Sequence, residues 1–444
     1  TTEFAPQTRR VCRGRAFRVG FRKPNARNGT QPEPRLCILL FVFKLAISTL
    51  RETDGKFRVL ENSKLNLIII VRNIVMKDVK ITGIDTYLIE TKQKGTFADS
   101  TRKVETIGYV VVDVKTDAGV HGIGVTYHEV GGEAIATFIL KSLGPKLIGR
   151  SPFETEGLYD ELVAYMRGVG RKGLAFCALS ILDIALWDIK GKIVDMPIYR
   201  MLGGTRNTVP CYATGGWTSY TIDQLVAEAK TMAEAGFRTI KIKIGVDGGK
   251  NPNEDARRVL AVADAIGPDI GIMLDANNAF SSAVALRLAY KLRDANITFF
   301  EEPVFADDLP GLARFRAAGI LPCASGEHEY TRYGARDLIA GGCIDYLQSD
   351  ITRCGGFTEG RKMVTFAQAY NIPYAPHGFD VIHCHIVAAY SNGAYLENLF
   401  MFNELIERTF VDAPIPHKGI MTISDKAGLG LELNYKELTS YGSI

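Results

Sequence analysis

Charged residues recur at regular intervals in the second half of the chain, each at the end of a short apolar run. Counted from Lys243, the intervals are 32, 26, 26, 23 and 27 residues. Each interval has the length of one strand–helix unit, so side chains at the carboxyl ends of parallel strands would meet at one edge of a sheet. The residues in this series are Lys241, Lys243, Asp275, Glu301, Glu327, Asp350 and His377.

Three successive carboxylates in this series predict a metal site. Any one of Asp275, Glu301 and Glu327 alone is typical of an exposed strand end. Three on adjacent strands would repel one another unless a cation lay between them. Ligation by oxygen alone selects a hard ion, so the predicted cofactor is Mg²⁺.

Two groups able to transfer protons flank the predicted metal ligands. Lys243 lies on one side, and His377, oriented by Asp350, lies on the other. Lys241 shares a strand face with Lys243, so its like charge predicts a lowered pKa for Lys243. A dication between two opposed bases suits removal of the proton beside a carboxylate, because it stabilises the negative charge that develops on both carboxylate oxygens.

Several neighbours of these residues are predicted to take no part. Glu302 should face away from Glu301, because side chains alternate along a strand. His328, which follows Glu327, should also point away from it. His383 and His385 are two residues apart on a predicted helix, and we assign both to packing or solvent.

Short apolar strands alternate with amphipathic helices from about residue 208 onward, which predicts an α/β fold. Strict alternation and strands buried on both faces favour a modified (β/α)8 TIM-type barrel over an open doubly wound sheet, for which no glycine-rich phosphate fingerprint is present. An N-terminal α+β capping domain precedes the barrel. The eight predicted strands are 209–214, 239–244, 270–275, 297–301, 322–327, 344–350, 372–377 and 394–397.

The chain divides into four predicted parts. Residues 1–75 form an extra N-terminal segment outside the fold, and they hold 15 Lys and Arg against 5 Asp and Glu. This segment is interpreted as upstream translated sequence. A targeting segment is the less favoured alternative, because no small-residue cleavage site is evident. Residues 76–204 form the capping domain and 205–410 the barrel. Residues 411–444 are predicted to pack back on the capping domain.

Composition restricts the kinds of partner. From residue 76 onward 38 Lys and Arg face 44 Asp and Glu, so clustered positive charge for nucleic acid is lacking. The longest apolar run, Leu36–Leu50, has 15 residues, short of the roughly 20 needed to span a membrane. Eight scattered cysteines without a CxxC pair indicate no disulfide framework, which favours a cytoplasmic location.

Short motifs surround the charged residues and recur in the first domain. In chain order they are Ala185-Leu186-Trp187-Asp188, Leu202-Gly203-Gly204, Lys241-Ile242-Lys243, Leu274-Asp275-Ala276-Asn277, Phe300-Glu301-Glu302-Pro303, Ser325-Gly326-Glu327, Asp350 followed by Gly355-Gly356, Pro376-His377-Gly378 and Leu396-Glu397. With these motifs the sequence resembles the mandelate racemase branch of the enolase superfamily, and the residues around His377 resemble those of sugar-acid dehydratases. The resemblance runs from Met76 to the C-terminus.

The resemblance implies roles for residues that spacing alone does not assign. Asp275, Glu301 and Glu327 would bind Mg²⁺, and Lys243 with the His377/Asp350 pair would be the acid and base groups. Glu397 and Asn277 would bind the substrate. Loops near Lys94–Arg102 and Gly168–Lys172 would close over it, with Thr96 and Arg102 suited to a polyhydroxylated acid. Each of these loop residues is equally typical of a solvated loop.

These observations predict a lyase that dehydrates a sugar acid to a 2-keto-3-deoxy acid, with a small-molecule substrate and a homo-oligomeric assembly. Either Lys243 or His377 takes the α-proton, and the sugar is undetermined because rhamnonate-type enzymes lack the paired lysines. Two alternatives stay open. One is a racemase, epimerase or cycloisomerase of a carboxylate substrate. The other is a non-catalytic regulatory protein that binds a metabolite.

Overall fold

The computed structural model of the chain describes residues 79–443. The predictions made for residues 1–75 lie outside these residues. Across the described part, no helix is both long enough and apolar enough to cross a membrane. The six cysteines in this part are buried and unpaired.

The first half of the described chain begins with an antiparallel sheet. Strands β1 (Ile81–Ala98), β2 (Lys103–Thr116) and β3 (His121–His128) pair in that order, and the C-terminal strand Thr439–Ser443 adds to the free edge of β1. The middle of β2 is buried on both faces, as its run of consecutive valines predicts. The register of β1 on β2 shifts between Lys92 and Phe97, near the tip of their hairpin.

Helices follow this sheet in the chain, and one of them packs against the sheet as the centre of the first half of the molecule. The helix α4 (Leu174–Val194) is buried almost all round. It packs directly against β3: a Cβ on Gly124 would lie 1.8 Å from the carbonyl oxygen of Ile181 in this helix. The helical elements here are α1 Gly132–Phe138, a π-helical turn Ile139–Leu143, α2 Gly144–Leu147, α3 Thr155–Tyr165, α4 Leu174–Val194 and α5 Ile198–Met201.

A parallel sheet with flanking helices forms the second half, in agreement with the predicted alternation. The strands are β4 Thr208–Gly215, β5 Thr239–Lys243, β6 Gly271–Asp275, β7 Ile297–Glu301, β8 Cys323–Ser325, β9 Tyr346–Leu347 and β10 Leu396–Leu399. Their order in the sheet is β10-β4-β5-β6-β7-β8-β9. The helices are α6 Ile222–Glu234, α7 Val246–Gly249, α8 Pro252–Ile266, α9 Ser282–Leu292, α10 Leu309–Ala317, α11 Arg332–Ala340, α12 Gly356–Ala369 and α13 Asp380–Ala389.

One predicted strand differs from the structure. The run 372–377 forms no strand, and Tyr374 makes only single bridges, to Leu347 on one side and to Gly393 on the other. A continuous hydrogen-bonded ladder therefore does not close the predicted barrel. Strands β8 and β9 are also shorter than predicted, because the chain turns soon after each of them, as Gly326 does with a φ of 135°.

The chain after β10 returns to both sheets. Strand β12 runs antiparallel to β4, and β14 pairs with β1. The remaining elements are a 3₁₀ turn Phe400–Phe402, α14 Asn403–Thr409, β11 Phe410–Val411, β12 Ile420–Thr422, β13 Glu432–Leu433 and β14 Thr439–Ser443.

An apolar layer inside the parallel sheet supports the charged residues. Tyr212, Met273, Phe299 and Ala324 form a buried cluster there. Because side chains alternate along a strand, Met273 and Phe299 share a face with the residues two positions later, which are Asp275 and Glu301. Asp275 and Glu301 therefore lie directly above this apolar layer, at the carboxyl ends of the strands.

Helix α4 also contacts the parallel half of the molecule. Ser180 and Asp183 accept hydrogen bonds from the backbone N–H groups of Gly355 and Thr358, at 2.7 and 3.0 Å. The indole N–H of Trp187 donates to Thr358 Oγ1 at 2.9 Å. These bonds hold the amino end of α12, which follows the turn after Asp350.

Candidate active site

Three of the predicted residues lie side by side in the parallel sheet. Lys243 on β5 is in register with Asp275 on β6, and Asp275 is in register with Glu301 on β7. All three are buried, with Glu301 fully enclosed. Adjacent parallel strands in register bring their side chains into one row. These three residues, each one strand–helix unit from the next, therefore meet at one edge of the sheet as predicted.

Each carboxylate of this row pairs with an amine. Lys243 Nζ donates to Asp275 Oδ2. The fully buried Lys241 lies one layer deeper, with its Nζ 2.7 Å from Glu301 Oε2 and 2.7 Å from Glu397 Oε1. A buried charge is stable only when it is paired and hydrogen-bonded, so each lysine depends on the carboxylates next to it.

His377 lies between two carboxylates. Its Nε2 is 2.8 Å from Glu327 Oε2, and its Nδ1 is 3.2 Å from Asp350 Oδ2. Burial alone would lower the pKa of His377, but the charge of Glu327 and the hydrogen bond to Asp350 outweigh it and raise this pKa to about 10. The imidazole is therefore protonated at neutral pH in this arrangement.

Asp350 is held by several hydrogen bonds at once. Its Oδ1 accepts from the backbone N–H and the hydroxyl of Thr352, both at 2.7 Å, and lies 3.2 Å from His383 Nε2. Burial raises the pKa of Asp350, but the hydrogen bond from His377 and the positive charge of that ring outweigh burial and hold the pKa well below its usual range. Asp350 is thus a fixed anion beside His377.

His383, which the sequence assigned to packing or solvent, makes two hydrogen bonds next to the His377/Asp350 pair. Its Nδ1 faces the carbonyl oxygen of Gly378 at 2.7 Å, so this nitrogen donates, and its Nε2 accepts from the backbone N–H of Ile351 at 3.0 Å. Gly378 follows His377 and Ile351 follows Asp350. One fully buried ring therefore ties together the two backbone segments that carry the pair. The two-residue spacing to His385 gave no sign of this.

The predicted metal ligands are near one another but do not converge on a single point. Asp275 is turned to Lys243, Glu301 to Lys241 and Glu327 to His377. Among the described residues, the compact group of possible ligand atoms is Glu302, Glu327 and His328, all within 4.8 Å of one another. Each predicted ligand here pairs with the nearest basic group instead.

The donor set nevertheless fits a hard cation. Glu301 Oε1 is buried and has no hydrogen-bonding partner among the described residues. Burial and the neighbouring charge of Asp275 raise the pKa of Glu301 to about 8. An enclosed carboxylate with one unpartnered oxygen, beside two more carboxylates, has the chemistry of a Mg²⁺ site.

Two predictions about neighbouring residues are wrong. Glu302 does not face away from the site: β7 ends at Glu301, and Glu302 has a φ of 42°, which turns its side chain toward His328 Nε2 at 3.4 Å. His328 in turn lies 3.4 Å from Glu327 Oε1, so it does not point away from that carboxylate. Strand alternation failed here because the strand had already ended.

The prediction of a lowered pKa for Lys243 is also wrong in this arrangement. Burial and the like charge of Lys241 do lower it, as predicted. The direct contact with Asp275 outweighs both effects and raises the pKa of Lys243 above its ordinary value. Sequence spacing indicated the repulsive neighbour but not that a carboxylate would face the amine directly.

The four predicted substrate-binding residues differ in position. Glu397 is buried and accepts from Thr214 Oγ1 at 2.7 Å and from the backbone N–H of Gly378 at 2.8 Å. Asn277 follows Asp275 closely, and its Oδ1 is buried without a partner among residues 79–443. Arg102 is half exposed and pairs with Glu129 at 2.9 Å. Thr96 is exposed, and its carbonyl oxygen accepts from Ser219 at 2.6 Å, so the structure does not bring its side chain to the row.

Both predicted lid loops contact the carboxyl ends of the parallel strands. Ser100, at the tip of the β1–β2 hairpin, donates to the carbonyl oxygens of Ala276 and Asn277 at 2.7 and 3.1 Å. Lys172 lies 3.3 Å from Glu329, two residues after Glu327. The first half of the chain thus covers the mouth of the sheet that carries the charged row.

Sequence comparison places both halves of the chain in known families. Residues 84–203 match the mandelate racemase/muconate lactonizing enzyme N-terminal domain, and residues 224–438 match the enolase C-terminal domain-like family. The chain belongs to the mandelate racemase/muconate lactonizing enzyme family. The resemblance stated from the motifs, and the expectation of an enzyme of this type, are confirmed.

Curated members of the mandelate racemase family are similar over most of the chain. A D-galactarolactone cycloisomerase from Agrobacterium fabrum is 33% identical over 380 residues, which cover 82% of this chain and 98% of that protein. An L-talarate/galactarate dehydratase from Salmonella typhimurium is 33% identical over 336 residues, covering 74% and 81%.

Solved structures of family members also match. The crystal structure of a racemase from Streptomyces coelicolor with bound magnesium has a TM-score of 0.76 at 28% identity, covering 80% of this chain and 98% of that one. The Salmonella typhimurium dehydratase has a TM-score of 0.77 at 28% identity, covering 88% and 96%. The cofactor predicted from the carboxylates is thus the metal bound in the racemase.

Proposed function

We propose that this protein is a Mg²⁺-dependent dehydratase of acid sugars. It removes the proton next to the substrate carboxylate and eliminates the β-hydroxyl group, which gives a 2-keto-3-deoxy acid. The observation that carries the proposal is the placement of two proton-transfer groups, Lys243 and His377, against the buried carboxylates of the sheet. Family membership and the named dehydratase support it.

Asp275, Glu301 and Glu327 would hold the metal ion. When bound, Mg²⁺ supplies positive charge that stabilises the negative charge developing on the substrate carboxylate. The unpartnered Oε1 of Glu301 supports this assignment. Engagement of Asp275 and Glu327 in ligation would weaken their hold on Lys243 and His377, and both basic groups would then be available to the substrate.

The reaction needs one base and one acid. The base, either Lys243 or His377, takes the α-proton, and the electron pair of the broken C–H bond forms a carbon–carbon double bond. The β C–O bond breaks, and His377 as imidazolium protonates the departing oxygen, which leaves as water. The resulting enol tautomerises to the 2-keto acid. Asp350 stabilises the protonated ring throughout, because it is a buried anion 3.2 Å from Nδ1.

The remaining assignments are part of the same proposal. Glu397 and Asn277 contact the substrate from the sheet, and Arg102 contacts it from the hairpin, whereas Thr96 has the weakest claim because its side chain is exposed. Residues 76–204 form the capping domain, 205–410 the catalytic domain and 411–444 the returning segment. The single bridges through Tyr374 mark where a closed barrel would be completed. We further propose a cytoplasmic homo-oligomer.

A screen of aldonic and aldaric acids tests the proposal directly. Purified full-length protein is incubated with each acid and Mg²⁺, and 2-keto-3-deoxy products are trapped with semicarbazide and read by absorbance. We expect a signal with at least one acid, loss of the signal in EDTA and loss in His377→Asn. No product from any acid with Mg²⁺ present would refute the dehydratase assignment.

A cycloisomerase is the second candidate, because the D-galactarolactone cycloisomerase matches over 98% of its own length. Deuterium exchange separates the two. A racemase, epimerase or cycloisomerase would incorporate solvent deuterium at the α-carbon without loss of water. A non-catalytic binding protein would show neither reaction, and Lys243→Ala would then leave every measured property unchanged.

A further inference from the structure

The side chain of Arg353 is a partly buried cation that lacks a full set of partners. It lies in the turn after β9, three residues beyond Asp350, and is 14% exposed. Its Nε is 3.7 Å from Asp350 Oδ2, which is longer than a hydrogen bond. In the part of the chain that the structure describes, neither Nη1 nor Nη2 has a hydrogen-bonding partner.

The first sheet covers this guanidinium. Arg353 Cζ lies 4.5 Å from the ring centroid of Tyr127 on β3. The same ring is 5.6 Å from the ring of His377. Arg353 is therefore next to the proposed acid group and beneath the capping half of the chain, at the mouth of the sheet. A cation–π contact offsets only a small part of the cost of burying a charge.

Asp350 pairs with Arg353 only through Nε, and nearby carboxylates leave both Nη groups unpaired. Asp350 already faces His377 with the same oxygen that lies near Arg353, and its other oxygen is taken by Thr352. Glu397 is engaged by Lys241 and by the backbone of Gly378. Burial, together with the like charge of Arg102, lowers the pKa of Arg353 to about 9. The guanidinium is still charged at neutral pH.

We propose that Arg353 binds a second carboxylate at the far end of the substrate, so that the acid sugar is a dicarboxylic, aldaric acid. A guanidinium with two free Nη groups is matched to a carboxylate, which it binds through two parallel hydrogen bonds. A terminal hydroxymethyl group would leave the charge unpaired. The inference rests on the proposed function in one respect: it assumes that the first carboxylate lies at the Asp275–Glu301–Glu327 group.

Matched substrate pairs test this inference. An aldaric acid and the aldonic acid of the same configuration differ only in whether the last carbon is a carboxylate or a hydroxymethyl group. We expect wild-type kcat/KM to favour the diacid about 100-fold, the factor that corresponds to the loss of hydrogen bonding to a charged group. Arg353→Gln should abolish most of this ratio, and Arg353→Lys should keep the charge and a part of the ratio.

Controls distinguish recognition from a structural role. Arg336→Gln removes a half-exposed arginine paired with Asp337 on α11 and should leave the ratio unchanged. If Arg353 only supports Asp350, its variants will lower kcat/KM for both acids by the same factor, and the inference is wrong. Equal wild-type activity on both acids would also overturn it.

An unreactive pair separates this inference from the proposed function. Adipate and 6-hydroxyhexanoate have no β-hydroxyl group, so neither is dehydrated, and they differ only at one terminus. With Mg²⁺ present, NMR titration of the wild type should show tighter binding of adipate, and Arg353→Gln should remove the difference. This result would support the inference even if no acid sugar were dehydrated. Equal binding of both probes to the wild type would refute it.

Discussion

Replacement of His383 tests whether the ring organises the catalytic pair. The ring connects Gly378 O at 2.7 Å to Ile351 N at 3.0 Å, directly behind His377 and Asp350. His383→Phe keeps an aromatic ring but leaves a buried carbonyl and a buried N–H unsatisfied. Each such group costs about 1–3 kcal/mol, so we expect a loss of about 2–6 kcal/mol in the free energy of unfolding.

Two further variants at this position separate the contacts. The amide nitrogen of His383→Asn takes the place of Nδ1 and can still donate to Gly378. The amide oxygen of His383→Gln takes the place of Nε2 and can still accept from Ile351. Each variant should lose about half of the stability lost by His383→Phe, because each leaves one of the two groups unsatisfied.

The assay combines stability with kinetics. Urea unfolding of the full chain gives the stability, and semicarbazide trapping gives kcat and KM with an acid that the wild type turns over. We expect kcat to fall about 10²-fold with KM little changed, because displacement of a catalytic group by about 1 Å has this effect. A His383→Phe variant with wild-type stability and wild-type kcat would refute the reasoning.

Two other predictions concern buried charge. Lys241→Met leaves Glu301 and Glu397 without their common partner. Urea unfolding in EDTA should therefore show a loss of about 3–5 kcal/mol in the free energy of unfolding. A Lys241→Met/Glu397→Gln double variant that is no more stable than Lys241→Met would contradict this. Burial lowers the pKa of His385 from 6.5 to about 4, despite its bond to Leu429 O. The unfolded chain therefore binds the proton more readily, so this residue destabilises the fold by up to about 3 kcal/mol as the pH falls from 6.5 to 4. His385→Gln should show a flatter decline than the wild type over this range, and parallel curves would refute it.

The sequence predicted the row of residues well where strands are long enough to set direction. Lys243, Asp275 and Glu301 lie on strands of five residues each, and alternation together with one strand–helix unit per step determines their neighbours. Beyond the strand ends the same rule fails. Glu302 has a left-handed φ, and its position depends on a turn that no periodicity encodes.

Contacts between distant segments were the second limit. No motif of the sequence marks Arg353, and its partial burial depends on Tyr127, more than 200 positions earlier in the chain. The sequence predicted that the like charge of Lys241 would lower the pKa of Lys243. The direct contact with the carboxylate of Asp275 raises this pKa instead. Sequence spacing therefore indicates which residues approach the site, whereas packing of the two halves determines what each of them touches.

The close contact of helix α4 with strand β3 limits how a substrate can enter. Gly124 brings strand and helix backbones together with no side chain between them, and Ser180 and Asp183 fasten the same helix to the start of α12. A rocking motion of the whole antiparallel sheet would break these bonds together. Access is thus left to the two covering loops: the hairpin tip, which can bend near the shift in register between Lys92 and Phe97 and is held by Ser100, and the loop held by Lys172.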